Sequence, residues 1–209
     1  MNVVIVGGSP NLILDLKLLE QFTYDLLIGV DRGAYEVINR GIPCDVAVGD
    51  FDSLESDQFN TIKLKCKEIV TFDTIKNETD TELAIREAIR RGAKTIHLIG
   101  VTGRRLDHFL GTLNLYHRLT IPLYIYDLHN KIYLLEEGTT VITKDHYQYI
   151  SFFAFGGPVL GLTLDGFKYK LEDYTLENRD SLTISNEILS HEATIYFQKG
   201  RLLVIESND

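Results

Sequence analysis

The chain reads as an α/β protein, with an N-terminal open, mainly parallel α/β sheet domain followed by a C-terminal antiparallel β-sandwich. Three observations predict this. Short apolar runs such as Val3–Val6, Leu26–Val30 and Val46–Val48 alternate with segments of helical periodicity through the first part of the chain. Those runs are apolar at consecutive positions, the mark of strands buried on both faces beneath covering helices. After roughly Asn130 the helical signal fades, and short strand-like runs separated by Gly, Pro and Asp turns take over.

Taken in order, Val3–Val6 predicts a first strand that ends in Gly7-Gly8, and Leu12–Phe22 repeats Leu at helical spacing. Leu26–Val30 predicts a second strand, Ala34–Arg40 a helix closed by Gly41, and Val46–Val48 a third strand running into Gly49-Asp50. A helix around Asp57–Leu64 and a strand at Glu68–Phe72 follow. Thr79–Arg91 carries a full set of helix signals: Thr79 and Glu82 form a Ser/Thr-x-x-Glu box, Leu83, Ala84 and Ala88 share a face, and Gly92 closes it. Thr95–Ile99, Asp107–Leu119 and Leu123–Tyr126 continue as strand, helix and strand.

In the second part, Lys131–Leu135, Thr140–Ile142, Tyr149–Phe155, Leu160–Leu164, Ser181–Ile184, Ala193–Phe197 and Leu202–Ile205 read as strands. Glu137-Gly138, Gly156-Gly157-Pro158, Asp165-Gly166 and Lys199-Gly200 read as the turns between them. This places a domain of residues 1–128 before one of residues 129–209, with no linker composition at the boundary.

Composition narrows the function. The 209 residues are 44% apolar and 24% charged, an ordinary globular balance. With 21 Lys and Arg against 30 Asp and Glu, the net charge of −9 disfavours nucleic acid and anionic membranes as partners. An acidic protein that binds a nucleotide needs a cation or a local basic cluster. Cys44 and Cys66 form no CxxC pair, so a reducing compartment is expected, and Met1–Gly8 reads as a strand, not a signal peptide. A cytoplasmic protein is the expectation.

The acidic residues of the first domain fall at strand ends. Asp31 follows Leu26–Val30, Asp50 and Asp52 follow Val46–Val48, Asp73 follows Glu68–Phe72, and Asp80 opens the capped helix. In an open α/β sheet the carboxyl ends of the strands border the ligand crevice. Carboxylates crowded there repel one another, and a divalent cation relieves this. Oxygen ligands of this kind suit Mg²⁺, which takes one or two carboxylates and leaves room for substrate phosphates. Asp also favours loops and helix caps, so the argument rests on Asp50 and Asp52 as a pair within Gly49-Asp50-Phe51-Asp52-Ser53.

A second group, Gly100-Val101-Thr102-Gly103-Arg104-Arg105-Leu106-Asp107-His108, leads from a strand into a helix. Backbone N–H groups at such a start hold phosphate, and Arg104 or Arg105 adds a bidentate fork. Lys76 supplies another positive point charge. No Walker phosphate loop, dinucleotide fingerprint, zinc-ligand cluster or nucleophile elbow is present.

Gly7-Gly8, Val30-Asp31-Arg32-Gly33-Ala34, Gly49-Asp50-Phe51-Asp52-Ser53, Thr79-Asp80, Gly103-Arg104-Arg105-Leu106-Asp107-His108 and Ser185-Asn186-Glu187 together closely resemble thiamine pyrophosphokinase. The blocks run in order across nearly the whole chain. The resemblance implies a nucleotide- and metal-binding catalytic domain, a thiamine-binding β-sandwich, and a homodimer with active sites at the subunit interface. It also implies the reaction: ATP and thiamine give thiamine diphosphate and AMP, with Mg²⁺. By position, Asp50, Asp52 and Asp80 match the family's metal and phosphate site, and Arg105 with Asp107 its Arg-x-Asp. Asp31 matches the acidic position after the second strand, with Lys76, Thr79 and Arg104 alongside as substrate-binding candidates. Ser185 and Asn186 match the segment that meets thiamine. The general base stays open among the carboxylates, Asp107 included. Some members place a Trp by the thiamine rings; this chain has none, so any stacking falls to Phe or Tyr. Two rivals remain: another Mg²⁺-dependent nucleotide enzyme with a different acceptor, and a nucleotide- or thiamine-sensing module on the same fold.

Overall fold

The apolar run at Val3–Val6 becomes the centre of a parallel sheet, and all four side chains are wholly shielded from solvent. Burying an aliphatic side chain of this size contributes about 1.5–3 kcal/mol, so this strand anchors its domain. The computed structural model describes residues 1–10, 15–72, 77–103 and 105–209. The chain divides into two units, Met1–Leu128 and His129–Asp209.

In the first unit the strands are β1 (Asn2–Val6), β2 (Leu26–Val30), β3 (Val46–Gly49), β4 (Glu68–Thr71), β5 (Thr95–Ile99) and β6 (Leu123–Tyr126). They lie in the order β6-β5-β1-β2-β3-β4, every pair parallel. Helices α1 (Arg32–Asn39), α2 (Ser56–Lys65), α3 (Asp80–Arg90) and α4 (Leu106–Asn114) make the crossovers. The chain winds outward from β1 to β4 and then returns to place β5 on the other side of β1. That reversal opens a crevice beyond the carboxyl ends of β1 and β5, where open α/β sheets hold their ligands.

Local chemistry sets the helix ends. The Thr79 hydroxyl accepts the Glu82 N–H at 3.2 Å, so the expected cap is made. The Glu82 carboxylate turns instead to Arg118 at 2.9 Å. A reciprocal capping box that the sequence reading missed, Glu55 with Gln58, starts α2. The helix expected over Asp107–Leu119 stops at Asn114 and tightens into a 3₁₀ turn, Leu115–His117. There the buried Tyr116 hydroxyl donates to the Leu123 carbonyl at 3.0 Å and draws the chain onto β6. Of the expected Leu12–Phe22 helix, residues 12–14 lie outside the described residues, and Leu16–Gln21 is a 3₁₀ helix that buries Leu16, Leu18 and Leu19.

The second unit is antiparallel throughout: β7 (Asn130–Thr143), β8 (Tyr149–Ala154), β9 (Val159–Asp165), β10 (Leu171–Leu176) and β11 (Glu192–Ser207). β11 pairs with β7 along its length, with β9 along its first half and with β8 along its second. Phe152 and Phe167 meet edge to face in this core, with centroids 5.5 Å apart.

Three sequence expectations need correction here. Lys131–Leu135 and Thr140–Ile142 are one strand, as are Ala193–Phe197 and Leu202–Ile205; a register shift between Phe197 and Arg201 replaces the expected turns. Ser181–Ile184 is a turn, not a strand: Ile184 N–H bonds back to the Ser181 carbonyl at 3.3 Å, and Ser185 takes a positive φ of 56°. β10 was not expected, because Glu172, Asp173 and Thr175 break its apolar pattern and only Leu176 is buried.

Candidate active site

The site begins with the two loops that flank the crevice. After β1, Gly7 N–H bonds to the Ile99 carbonyl at 2.8 Å and Ser9 N–H to the Gly100 carbonyl at 2.9 Å. The Ser9 hydroxyl adds a bond to the Thr102 carbonyl. A Cβ on Gly7 would lie 2.5 Å from the Gly100 oxygen, so only glycine lets the two loops close. Between them opens a cleft of about 520 Å³, lined in part by Ser9, Asp31, Thr79, Asp80, Arg105 and His108.

Asp31 caps the approach to α1 with a strained backbone, φ 45° and ψ −117°. Its N–H bonds to the Val48 carbonyl at 3.0 Å, and its Oδ1 accepts the Phe51 N–H at 3.2 Å. The carboxylate therefore holds the Gly49–Ser53 loop from beneath. Gly49 is required at that contact: a Cβ there would fall 1.8 Å from Asp31 Oδ1. Phe51 is itself at φ 59°, pinned by stacking on Phe59 of α2 with centroids 5.0 Å apart.

This anchoring turns the acidic side chains outward. Asp50 Oδ1 accepts the Asp52 N–H at 3.2 Å, and Asp52 is exposed. Asp50 beside it, and Asp80 from the start of α3, push the Asp52 carboxyl above its ordinary pKa. Of the residues singled out in the sequence, Asp31, Thr79, Asp80 and Arg105 line one cleft, with Asp50 and Asp52 on the adjoining loop.

Arg105 is exposed at the start of α4, with its Nε 3.2 Å from Asp107 Oδ1 in a two-pronged pair. The guanidinium holds the Asp107 carboxyl down to about 2, which makes Asp107 a weak proton acceptor and a holder of Arg105. Asp73, Lys76 and Arg104 lie outside the described residues.

The remaining pair belongs to the second unit. Asn186 is buried, its amide donating to the Tyr169 carbonyl at 2.8 Å and accepting the Tyr169 N–H at 2.9 Å. Its side chain shapes the segment from within, whereas Ser185 is exposed, with its N–H bonded to Ser151 Oγ at 3.0 Å. Tyr169 presents an exposed ring beside them.

Sequence reasoning passed over Ser9, Arg32, Ser53 and Thr102 as lining groups. Arg32, Ser53 and Thr102 stand inside blocks the sequence singled out for other residues, and Ser9 follows the Gly7-Gly8 pair, which does not reveal that β5 lies next to β1. Among the described residues, no group of three or more His, Cys, Asp or Glu side chains is arranged to hold a metal alone. The donors present do fit a cation that takes one or two carboxylates and completes its shell with water and phosphate. Asp50 and Asp52 are carboxylates of that kind, with Asp50 close enough to disfavour the charge on Asp52.

Comparison with known proteins agrees over both units. The model of the thiamin pyrophosphokinase catalytic domain matches residues 18–125, and that of the thiamin pyrophosphokinase vitamin B1 binding domain matches residues 139–202. The chain is 35% identical over 210 residues to the thiamine pyrophosphokinase of Bacillus subtilis (strain 168), covering 99% of this chain and 98% of that one. A crystal structure of thiamine pyrophosphokinase from Bacillus subtilis superposes with a TM-score of 0.91 at 34% identity, over all of both chains. That from Geobacillus thermodenitrificans does so with a TM-score of 0.87 at 33% identity, over 100% of this chain and 98% of that one.

Proposed function

Since the chain belongs to the thiamin pyrophosphokinase family, we propose that it transfers the pyrophosphoryl group of ATP to the hydroxyl of thiamine, giving thiamine diphosphate and AMP with Mg²⁺. The observation that carries this reading is the convergence of Asp31, Asp80 and Arg105 on one cleft, next to the paired Asp50 and Asp52.

The polyphosphate of ATP lies in the cleft between the loops after β1 and β5. Backbone N–H groups at the start of α4 and the Arg105 guanidinium face its oxygens, and Asp107 keeps that guanidinium aimed. Asp50 and Asp52, with Asp80, would hold Mg²⁺, which would supply charge neutralisation at the phosphates. The protein's own work is positioning: the thiamine hydroxyl must meet the β-phosphorus in line with the departing AMP oxygen. Asp107 is committed to its pair with Arg105, and a carboxylate of the site accepts the hydroxyl proton. The Ser185 segment of the second unit contacts thiamine, and the exposed Tyr169 ring supplies the stacking surface that a Trp gives elsewhere. The active enzyme is a homodimer with its sites at the subunit interface.

The test is incubation with ATP and thiamine, with Mg²⁺ or with excess chelator, followed by separation of products. Equal amounts of AMP and thiamine diphosphate, formed only with Mg²⁺, support the proposal. Inorganic pyrophosphate or thiamine monophosphate as the product sinks it, as does full turnover in chelator.

A further inference from the structure

The two cysteines stand apart from the cleft and face each other. β3 and β4 run parallel with Val46 opposite Glu68, and the pairing continues backwards: Glu68 N–H bonds to the Asp45 carbonyl at 3.0 Å and Lys67 N–H to the Cys44 carbonyl at 3.3 Å. Cys44 and Cys66 are the residues just before this pairing: the Cys44 carbonyl takes the N–H of the residue after Cys66, and the Cys66 N–H closes α2 on the Ile62 carbonyl at 2.9 Å. Adjacent strands are about 4.8 Å apart, within the Cα separation of about 4.4–6.8 Å that a disulfide spans. Both side chains join one apolar cluster, Cys44 buried and Cys66 half-buried at the end of α2. Each thiol lies by a carbonyl of its own segment, Cys44 Sγ at 3.4 Å from that of Val46 and Cys66 Sγ at 3.2 Å from that of Glu68, and each acts on the other's ionisation.

We propose that Cys44 and Cys66 form a peroxide-responsive thiol pair that closes reversibly to an intrachain disulfide. The interaction between the two thiols lowers Cys66 to about 7 and raises Cys44, which burial raises further. Cys66 is also the more exposed of the two, so it reacts first. The Cys66 thiolate attacks one oxygen of hydrogen peroxide, the O–O bond breaks, and sulfenic acid and hydroxide result. The Cys44 sulfur then attacks the Cys66 sulfur, the S–O bond breaks, and the leaving hydroxide takes the Cys44 proton as water. Two electrons pass from the two sulfurs to the peroxide. The bond closes a loop that contains β3, the Gly49–Ser53 loop and α2, although neither cysteine lines the cleft.

Reduced protein, freed of added thiol, is treated with a small excess of hydrogen peroxide, denatured, alkylated and weighed. The pair predicts a monomeric product lighter by two hydrogens, alkylated at neither cysteine, and restored by dithiothreitol. The rate should rise with pH through about 7, as Cys66 ionises. Cys44→Ala should stop at a Cys66 sulfenic acid that a cyclic 1,3-dione traps. Cys66→Ala should slow peroxide consumption by roughly tenfold or more, because the remaining thiol is buried and protonated. Two thiols still open to alkylation after peroxide, a disulfide that joins two chains, or first oxidation at Cys44 would each overturn the proposal. These readouts need neither ATP nor thiamine.

Discussion

Asp52 is exposed, and Asp50 and Asp80 act on its charge. Asp52→Asn should therefore keep the thermal midpoint of the wild type and lower turnover by about 10²-fold or more, the scale of losing one electrostatic contact to a reacting phosphate. Unchanged turnover would remove the metal role of this loop. Gly49 predicts the opposite pattern. Gly49→Ala places a methyl group against the Asp31 carboxylate, which also holds Phe51. Loss of stability on the order of 2 kcal/mol, together with lost activity, is expected in denaturant unfolding and steady-state assays. A stable, active Gly49→Ala protein would show that Asp31 does not support the loop. Tyr169→Ala should raise KM for thiamine about tenfold and leave KM for ATP unchanged, since a stacked ring contributes about 0.5–1.5 kcal/mol beyond its area.

The helix α3 joins the acidic site to the rest of the sheet. Its first turn presents Asp80, and its last turn is locked by Glu87, which bonds Arg90 and Arg91 at 2.6 Å each. Arg91 reaches on to Glu68 of β4 at 2.7 Å. Arg90 first, then Arg91, hold the Glu87 carboxyl down from 4.5 to about 2 against the effect of its burial. A depressed carboxyl stabilises the fold above its unfolded pKa, and that contribution is lost as pH falls through the folded value. Stability should thus decline between pH 4.5 and about 2, by about 2 kcal/mol after allowing for the exposed Arg90. Glu87→Gln should flatten that part of an acid-unfolding curve, and an unaltered curve would count against the clamp. At this scale, what the sequence revealed was local. The Thr79 cap, the Gly49-Asp50 turn and the apolar strands each depend on neighbours within a few residues. The merged strands β7 and β11 were not visible, because Lys199-Gly200 looks the same in a turn and in a register shift. Nor was the turn at Ser181–Ile184, which is set by bonds to β8: Phe152 N–H to the Thr183 carbonyl at 3.2 Å, and the Thr183 hydroxyl to the Phe152 carbonyl at 2.5 Å.

For the whole molecule, the cleft is a product of topology. Gly7–Pro10 and Gly100–Gly103 are about ninety residues apart in the chain, and they meet because β5 pairs with β1. Pattern reading found the carboxylates at strand ends, but the opposing wall with Ser9 and Thr102 needed the sheet order. The homodimer proposal predicts a sedimentation mass of twice the 23.8 kDa chain at assay concentrations. A monomer with full activity would contradict it.

The proposed reaction moves both terminal phosphates of ATP together to thiamine. ATP labelled in its β-phosphorus, turned over with thiamine and Mg²⁺, tests it directly. Pyrophosphoryl transfer puts all transferred label in thiamine diphosphate and leaves unlabelled AMP as the other product; label that appears in ADP or in free pyrophosphate would contradict it.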